Sequence, residues 1–284
     1  MSGAPSLGDL AASWQLEPGV AVWALAAAVL YVAAARRTRW KSRRTASFLA
    51  GVAVAAVALE SGLDVYADRL LSVHMIEHLA LTMLAAPLLV AGAPMTLALR
   101  TLRGGSRRAV ARALTGRVGA TLGRPSVGLA QFVAVTLLTH LTGFYELALR
   151  SAELHALEHA LYLGSALLFW APLVAADPIR HAPGWLGRTL CVLLAMPAMS
   201  LVGIVLEISG RVRYPAYLAP ARAMGLSALA DQHDAGAIMW VGGSIIGAII
   251  VLGLGWAALA EEERRARRSE AHADRRAREA VLGA

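Results

Sequence analysis

The chain is poor in charge and almost without cysteine. Only 16% of its 284 residues are Asp, Glu, Lys or Arg, against about 25% in an ordinary soluble domain. Beside 57% hydrophobic residues, that shortfall leaves too little polar material to coat a globular core. It excludes soluble dinucleotide-binding, barrel and nucleic-acid-binding folds. The single cysteine, Cys191, excludes a disulfide framework and any Cys-pair site of the zinc-ribbon or thiolate-copper type. No Lys or Arg precedes Arg36, so the charged start of a cleavable signal peptide is missing. The first apolar run is expected to be a retained helix.

What the chain does have is a series of apolar runs of about 18–25 residues, the length that crosses a hydrocarbon core of about 30 Å. The expected fold is an all-α membrane protein, a seven-transmembrane-helix bundle. Its spans fall at roughly 18–35, 46–62, 72–94, 126–144, 154–176, 187–208 and 234–260. The whole chain reads as a single polytopic membrane domain, with a charged tail at 261–284. Pro87, Pro172 and Pro197 sit inside spans, which a membrane helix tolerates when neighbours re-satisfy the freed carbonyls.

Basic residues set the orientation. Of 27 Lys and Arg, 22 fall in the 1–2, 3–4 and 5–6 connections and the tail, leaving Arg69, Arg150, Arg211, Arg213 and Arg222 on the other side. Acids go the opposite way, with 12 of 19 on the poorly basic side. The N-terminus is therefore expected outside and the C-terminus in the cytoplasm. The net charge of +8 reports topology and not a nucleic-acid partner. Membrane lipid is the expected contact of the Arg-rich loops, through anionic headgroups. The tail alternates charge blocks with no apolar face, which fits a solvated helix or a disordered end.

Six of the eight histidines, His74, His78, His140, His155, His159 and His233, fall at or near the outer ends of those spans. The orientation rests on Lys and Arg alone, so the coincidence is independent evidence. Ionisable groups at membrane depth are expensive and usually functional. Two sites share one pattern: HMIEH at 74–78 and HALEH at 155–159 are both H-x-x-E-H. On a helix, positions i, i+3 and i+4 share a face, so each motif aims two imidazoles and a carboxylate one way. A His pair at i,i+4 can chelate one metal ion. Two such helices facing each other would offer four imidazoles, with Glu77 and Glu158 nearby. His140, or Asp231 and His233 with Asp234, could complete the shell, and Met75 and Met239 could supply soft sulfur. Asp231 or Asp234 could equally cap the seventh helix. His181, His272, Met196, Met199 and Cys191 are read as lying outside the site. Residue types alone leave copper and zinc open.

These residues resemble the CtaG family of assembly factors for caa3-type cytochrome c oxidase. The likeness begins with SVHMIEHLALTMLAAPLLVAGAP at 72–94 and runs through His140 and Tyr145. It continues with His155, His159 and Phe169-Trp170-x-Pro172, then Tyr214-Pro215-x-Tyr217 and DQHDAGAIMW at 231–240. Each block is weak alone, but together they are in order over residues 72–240. The resemblance implies seven transmembrane helices and a part in maturing a haem–copper oxidase, by delivering copper to its catalytic subunit. A periplasmic or extracellular copper donor would then be a further partner. On this reading the protein is no enzyme.

Rival readings stay open at this point. H-x-x-E-H is also the zinc and general-base signature of one metalloprotease class, so a membrane-embedded zinc hydrolase is the enzyme alternative. Its single base leaves one of the two motifs without a task. Bis-imidazole haem ligation needs only one His from each of two helices. A copper permease would need ligands continuing towards the cytoplasm, where the spans offer little beyond Met83, Met196, Met199 and Cys191.

Overall fold

The computed structural model describes residues 5–282, and among these there are helices and no strands. Seven principal helices are α1 (Pro18–Arg36), α2 (Ser42–Ala67), α3 (Leu71–Thr101), α4 (Pro125–Leu141), α5 (Ala152–Val174), α6 (Trp185–Glu207) and α7 (Ala228–His272). Six of them are long and apolar enough to cross a membrane. The exception is α4, an apolar helix of 17 residues. All seven expected runs are therefore helical, with edges shifted by a few residues. The chain is a multi-pass membrane protein by the length and composition of these helices.

Helices α3, α5, α4, α6 and α7 close into a ring in that order, each packed on the next, and α7 returns to α3. Helix α2 packs outside α3, and α1 lies on α2. The apolar core fills the ring: Phe132 of α4 stacks on Phe169 of α5 at 4.9 Å, and Trp170, Met83, Met199 and Met239 are buried with them. Only Tyr31 of α1 is buried. It stacks on Phe48 at 4.0 Å and donates its hydroxyl to the Gly92 carbonyl at 2.7 Å, which ties α1 to the bundle.

Two of the helices are irregular where the sequence predicts plain spans. Helix α3 opens into a wide π turn over Ala80–Ala85, immediately before Pro87. Proline has no N–H and its ring crowds the preceding turn, so the ladder widens there. The Trp170 indole donates to the Thr82 carbonyl inside that turn at 2.8 Å. Helix α7 carries a similar turn at Ile238–Gly242. In α2 the helix breaks at Ser61, whose hydroxyl accepts the Leu63 N–H at 3.2 Å and restarts it as Gly62–Ala67. Further along, α3 bends at Ala93, in left-handed backbone with φ 54°. Its last segment, Pro94–Thr101, is held by Asp177, which accepts from the Thr96 N–H and hydroxyl at 2.6 and 2.7 Å.

Helix α7 starts at Ala228, six residues before the expected 234, so Asp231, His233 and Asp234 lie inside it. The same helix runs on through the charged tail to Leu282. Arg264 and Arg265 reach Glu261 at 3.4 and 3.2 Å, exposed pairs one turn apart that add little to stability. The last two residues of the expected tail, 283–284, lie outside the described residues.

Helices α6 and α7 meet backbone to backbone. A Cβ on Gly203 would stand 2.6 Å from the Gly236 carbonyl oxygen, and one on Gly236 2.6 Å from that of Gly203. Small residues permit this close approach between apolar helices. Changing either glycine to Leu should force the helices apart and cost about 1–3 kcal/mol. A thermal unfolding midpoint in detergent equal to the parent's would contradict the contact.

Candidate metal centre

One end of the bundle, where α2 and α4 finish and α3, α5 and α7 begin, collects the polar residues. Helix α3 starts under the carboxylate of Asp231 from α7. That carboxylate accepts from the Leu71 and Ser72 N–H groups at 2.7 and 3.4 Å and from the Ser72 hydroxyl. An anion there satisfies free N–H groups and complements the helix dipole. Helix α5 starts under its own Ser151, whose hydroxyl accepts the Leu154 N–H at 3.3 Å. Both H-x-x-E-H motifs thus occupy the first turns of anchored helices, and each presents its face to the other.

The histidines converge as their spacing predicts. Ring centroids are 4.2 Å apart for His74–His78 and 4.4 Å for His155–His159. Across the two helices, His74 lies 5.5 Å from His155 and 6.0 Å from His159, and His78 lies 6.2 Å from His159. His140 of α4 stands edge-on to His78 at 5.6 Å. His74, Glu77, His78, Glu158 and His140 are all buried.

The glutamates cross over. Glu77 of the first motif lies 3.0 Å from Nε2 of His159 in the second, and Glu158 of the second lies 3.8 Å from Nε2 of His78 in the first. Neither approach has the geometry of a hydrogen bond, and both oxygens of each glutamate are buried without a hydrogen-bond partner. So are Nδ1 of His74 and of His78 and Nε2 of His140, His155 and His159. Buried polar groups are otherwise satisfied almost everywhere in folded proteins. A bound cation would satisfy this set together. Three groups have ligand atoms within 4.8 Å of one another: His74 with His155 and His159; His74 with His78 and Glu158; and Asp64 with Glu77 and His159. The donor set is imidazole and carboxylate, which suits a transition-metal ion.

His140 is held in one tautomer by its surroundings. Its Nδ1 lies 2.9 Å from the Thr136 carbonyl, which can only accept, so Nδ1 carries the proton. The Tyr162 hydroxyl, 2.8 Å from the same nitrogen, then shares that proton as an acceptor and donates its own to Thr139. Thr139 in turn donates to the Val135 carbonyl at 2.8 Å. Nε2 is left with a free lone pair, the arrangement that fixes metal-ligating histidines elsewhere. A second layer of phenols closes the site. Tyr217 donates to the Ala67 carbonyl at 3.0 Å, Tyr145 donates to Tyr217 at 2.8 Å, and Tyr214 donates to the His140 carbonyl at 2.7 Å. Burial pushes the Tyr214 and Tyr217 phenols up, so both remain neutral donors.

Several expected site residues lie elsewhere. Asp231 caps α3, neither completing the cluster nor capping α7, whose own cap is Ser227 accepting the Ala230 N–H at 3.3 Å. His233 is two residues further on, about 200° around the helix, and its Nε2 meets the Ser209 carbonyl at 3.1 Å. Met75 is buried in the apolar core. Met239 lines a small cavity of about 10 Å³ with His78, Tyr162 and Met199, room for one water at most. The sequence reading missed Asp64, Asp68 and Tyr162. Asp68 lies 3.8 Å from Nδ1 of His155. Asp64 and Asp68 are four residues apart near the end of an apolar run, the signal that could have found them.

Among known proteins, the family model described as cytochrome c oxidase caa3 assembly factor (Caa3_CtaG) matches residues 24–261. The chain belongs to this family. It is similar to an uncharacterized protein of Mycobacterium bovis, 29% identical over 95% of this chain. An uncharacterized protein of Mycobacterium leprae is 26% identical over 92% of it. The chain spans only 43% and 42% of those relatives' lengths. No solved structure matches.

Asp231 and His233 should separate in a mutational test. Asp231→Ala leaves the first turn of α3 uncapped and should cost about 1–2 kcal/mol, read as a lower unfolding midpoint in detergent. His233→Ala removes one peripheral hydrogen bond and should cost under about 1 kcal/mol. Equal losses would contradict the Asp231 cap.

Proposed function

We propose that this member of the caa3 assembly-factor family carries copper to the catalytic subunit of a cytochrome c oxidase and holds it among His74, His78, His155 and His159. The observation that carries the reading is the convergence of two H-x-x-E-H helices in which each histidine keeps one buried nitrogen, and each glutamate both oxygens, without a hydrogen-bond partner. Copper is cargo here, bound and released, so the protein needs no catalytic turnover. His140, fixed with Nε2 free, stands beside His78 as an auxiliary ligand. Imidazole suits copper well, and the family's work on a copper-containing oxidase favours it over zinc.

The proposed topology is seven spans, with α4 as the short fourth one inside the ring. The basic connections then face the cytoplasm, and the histidine end faces outwards, in the bacterial cell membrane. On this topology the copper donor is a periplasmic or extracellular protein. Residues 1–284 act as one membrane domain whose tail lies on the cytoplasmic side.

The test is made in cells. A strain lacking this protein should still make and insert the oxidase with its haem, while oxidase activity per mole of haem falls. Wild-type protein should restore that ratio, and the His74→Ala/His78→Ala variant, inserted at the same level, should not. Full restoration by the variant would defeat the cargo site. An unchanged ratio in the deletion strain would defeat the assembly role for this chain.

A further inference from the structure

The cluster is more than one ion needs. Two of its ligand groups share no residue: His74, His78 and Glu158 form one, and Asp64, Glu77 and His159 form the other. Each group contains one glutamate that is fully buried with both oxygens unpartnered. Each glutamate comes from the opposite helix to the histidine it faces, so the crossing of α3 and α5 builds two carboxylate–imidazole halves. The second half is completed by a residue outside both motifs, Asp64 on the segment of α2 that restarts after Ser61.

The two halves also differ in their access. His159 and Asp64 line a cavity of about 920 Å³ beside the cluster, while His74, His78 and Glu158 do not. Three acids, Glu17, Asp64 and Asp68, line that cavity against one base, Arg150. A cleft of one charge sign concentrates ions of the other.

We propose that Asp64, Glu77 and His159 form a second cation site, distinct from the His74–His78–Glu158 site and loaded first from the cavity. The inference rests on the reading of the histidine cluster as a cargo site. Its ligands are one nitrogen and two carboxylates, a set that takes a divalent transition-metal ion with more oxygen character than its inner neighbour. With both sites filled, His159 serves the outer ion while His74, His78 and Glu158 keep the cargo ion, and the His74–His155–His159 group links the two sites. Asp64 is therefore a ligand that neither histidine motif contains.

Zn(II) is a suitable probe, because it is redox-silent and accepts nitrogen and carboxylate ligands. The full chain, purified in detergent without a polyhistidine tag, should bind two Zn(II) ions per chain with separable affinities. Asp64→Asn should remove one and keep the other. Asp64→Glu, which keeps the carboxylate, should retain both, with one weakened roughly 10–100-fold. His74→Ala/His78→Ala should remove the ion that Asp64→Asn keeps. One ion in the wild type, two unchanged ions in Asp64→Asn, or none in Asp64→Asn would each overturn the second site. If the His74→Ala/His78→Ala variant keeps both ions while Asp64→Asn loses one, the second site stands and the inner cargo site falls.

Discussion

Two buried glutamates without hydrogen bonds are the constraint around which this fold is arranged. Leaving a buried polar group unsatisfied costs about 1–3 kcal/mol, more for a charged one, and Glu77 and Glu158 carry four such oxygens between them. Unsatisfied groups of this kind are rare in folded proteins. Each carboxylate faces an imidazole of the opposite helix; Nε2 of His74 and His78 meet each other at 2.7 Å, while their Nδ1 atoms and Nε2 of His155 and His159 are unpartnered. The end of the bundle is thus a set of donor atoms waiting for a positive charge. On the proposed reading, a bound cation satisfies this polarity.

The rest of the structure holds these donors still. Asp231 fixes the first turn of α3 from α7, a helix some 160 residues away in sequence. Ser151 fixes the first turn of α5 locally. The phenol layer of Tyr145, Tyr214 and Tyr217 ties the ends of α2 and α4 together, and Tyr162 with Thr136 sets the tautomer of His140. The π turn of α3 lies just below His78, with Trp170 bonded to its Thr82 carbonyl. Wide turns of this kind are frequent near functional sites. Below that level the ring interior is apolar: Met83, Phe132, Phe169, Met199 and Met239 pack it. The polar donors are confined to one end.

Much of this was legible in the sequence because it depends on local periodicity. Apolar run length gave the helices, and i, i+3, i+4 spacing put each motif on one face. The convergence of His74, His78, His155 and His159 needed only that the two faces meet, and the structure brings His140 beside them. What stayed hidden depends on long-range contact. No spacing rule says that Asp231 caps a different helix from its own, or that His233 turns away from it. The break at Ser61, which aims Asp64 and Asp68 at the cluster, has no proline or glycine run to announce it beyond Gly62. The π turns were equally unreadable, since a 3.6-residue period is assumed in every expectation of a helix.

The central claim is that copper sits among imidazoles and carboxylates at this one end, above the sulfur-containing core. X-ray absorption at the copper edge, on the copper-loaded full chain in detergent, measures that directly. The account predicts a shell of nitrogen and oxygen only, with the outer-shell scattering of imidazole rings, and its loss when His74, His78, His155 and His159 are all replaced by Ala. A shell dominated by sulfur would place the ion against Met199 and Met239 in the ring and contradict the account.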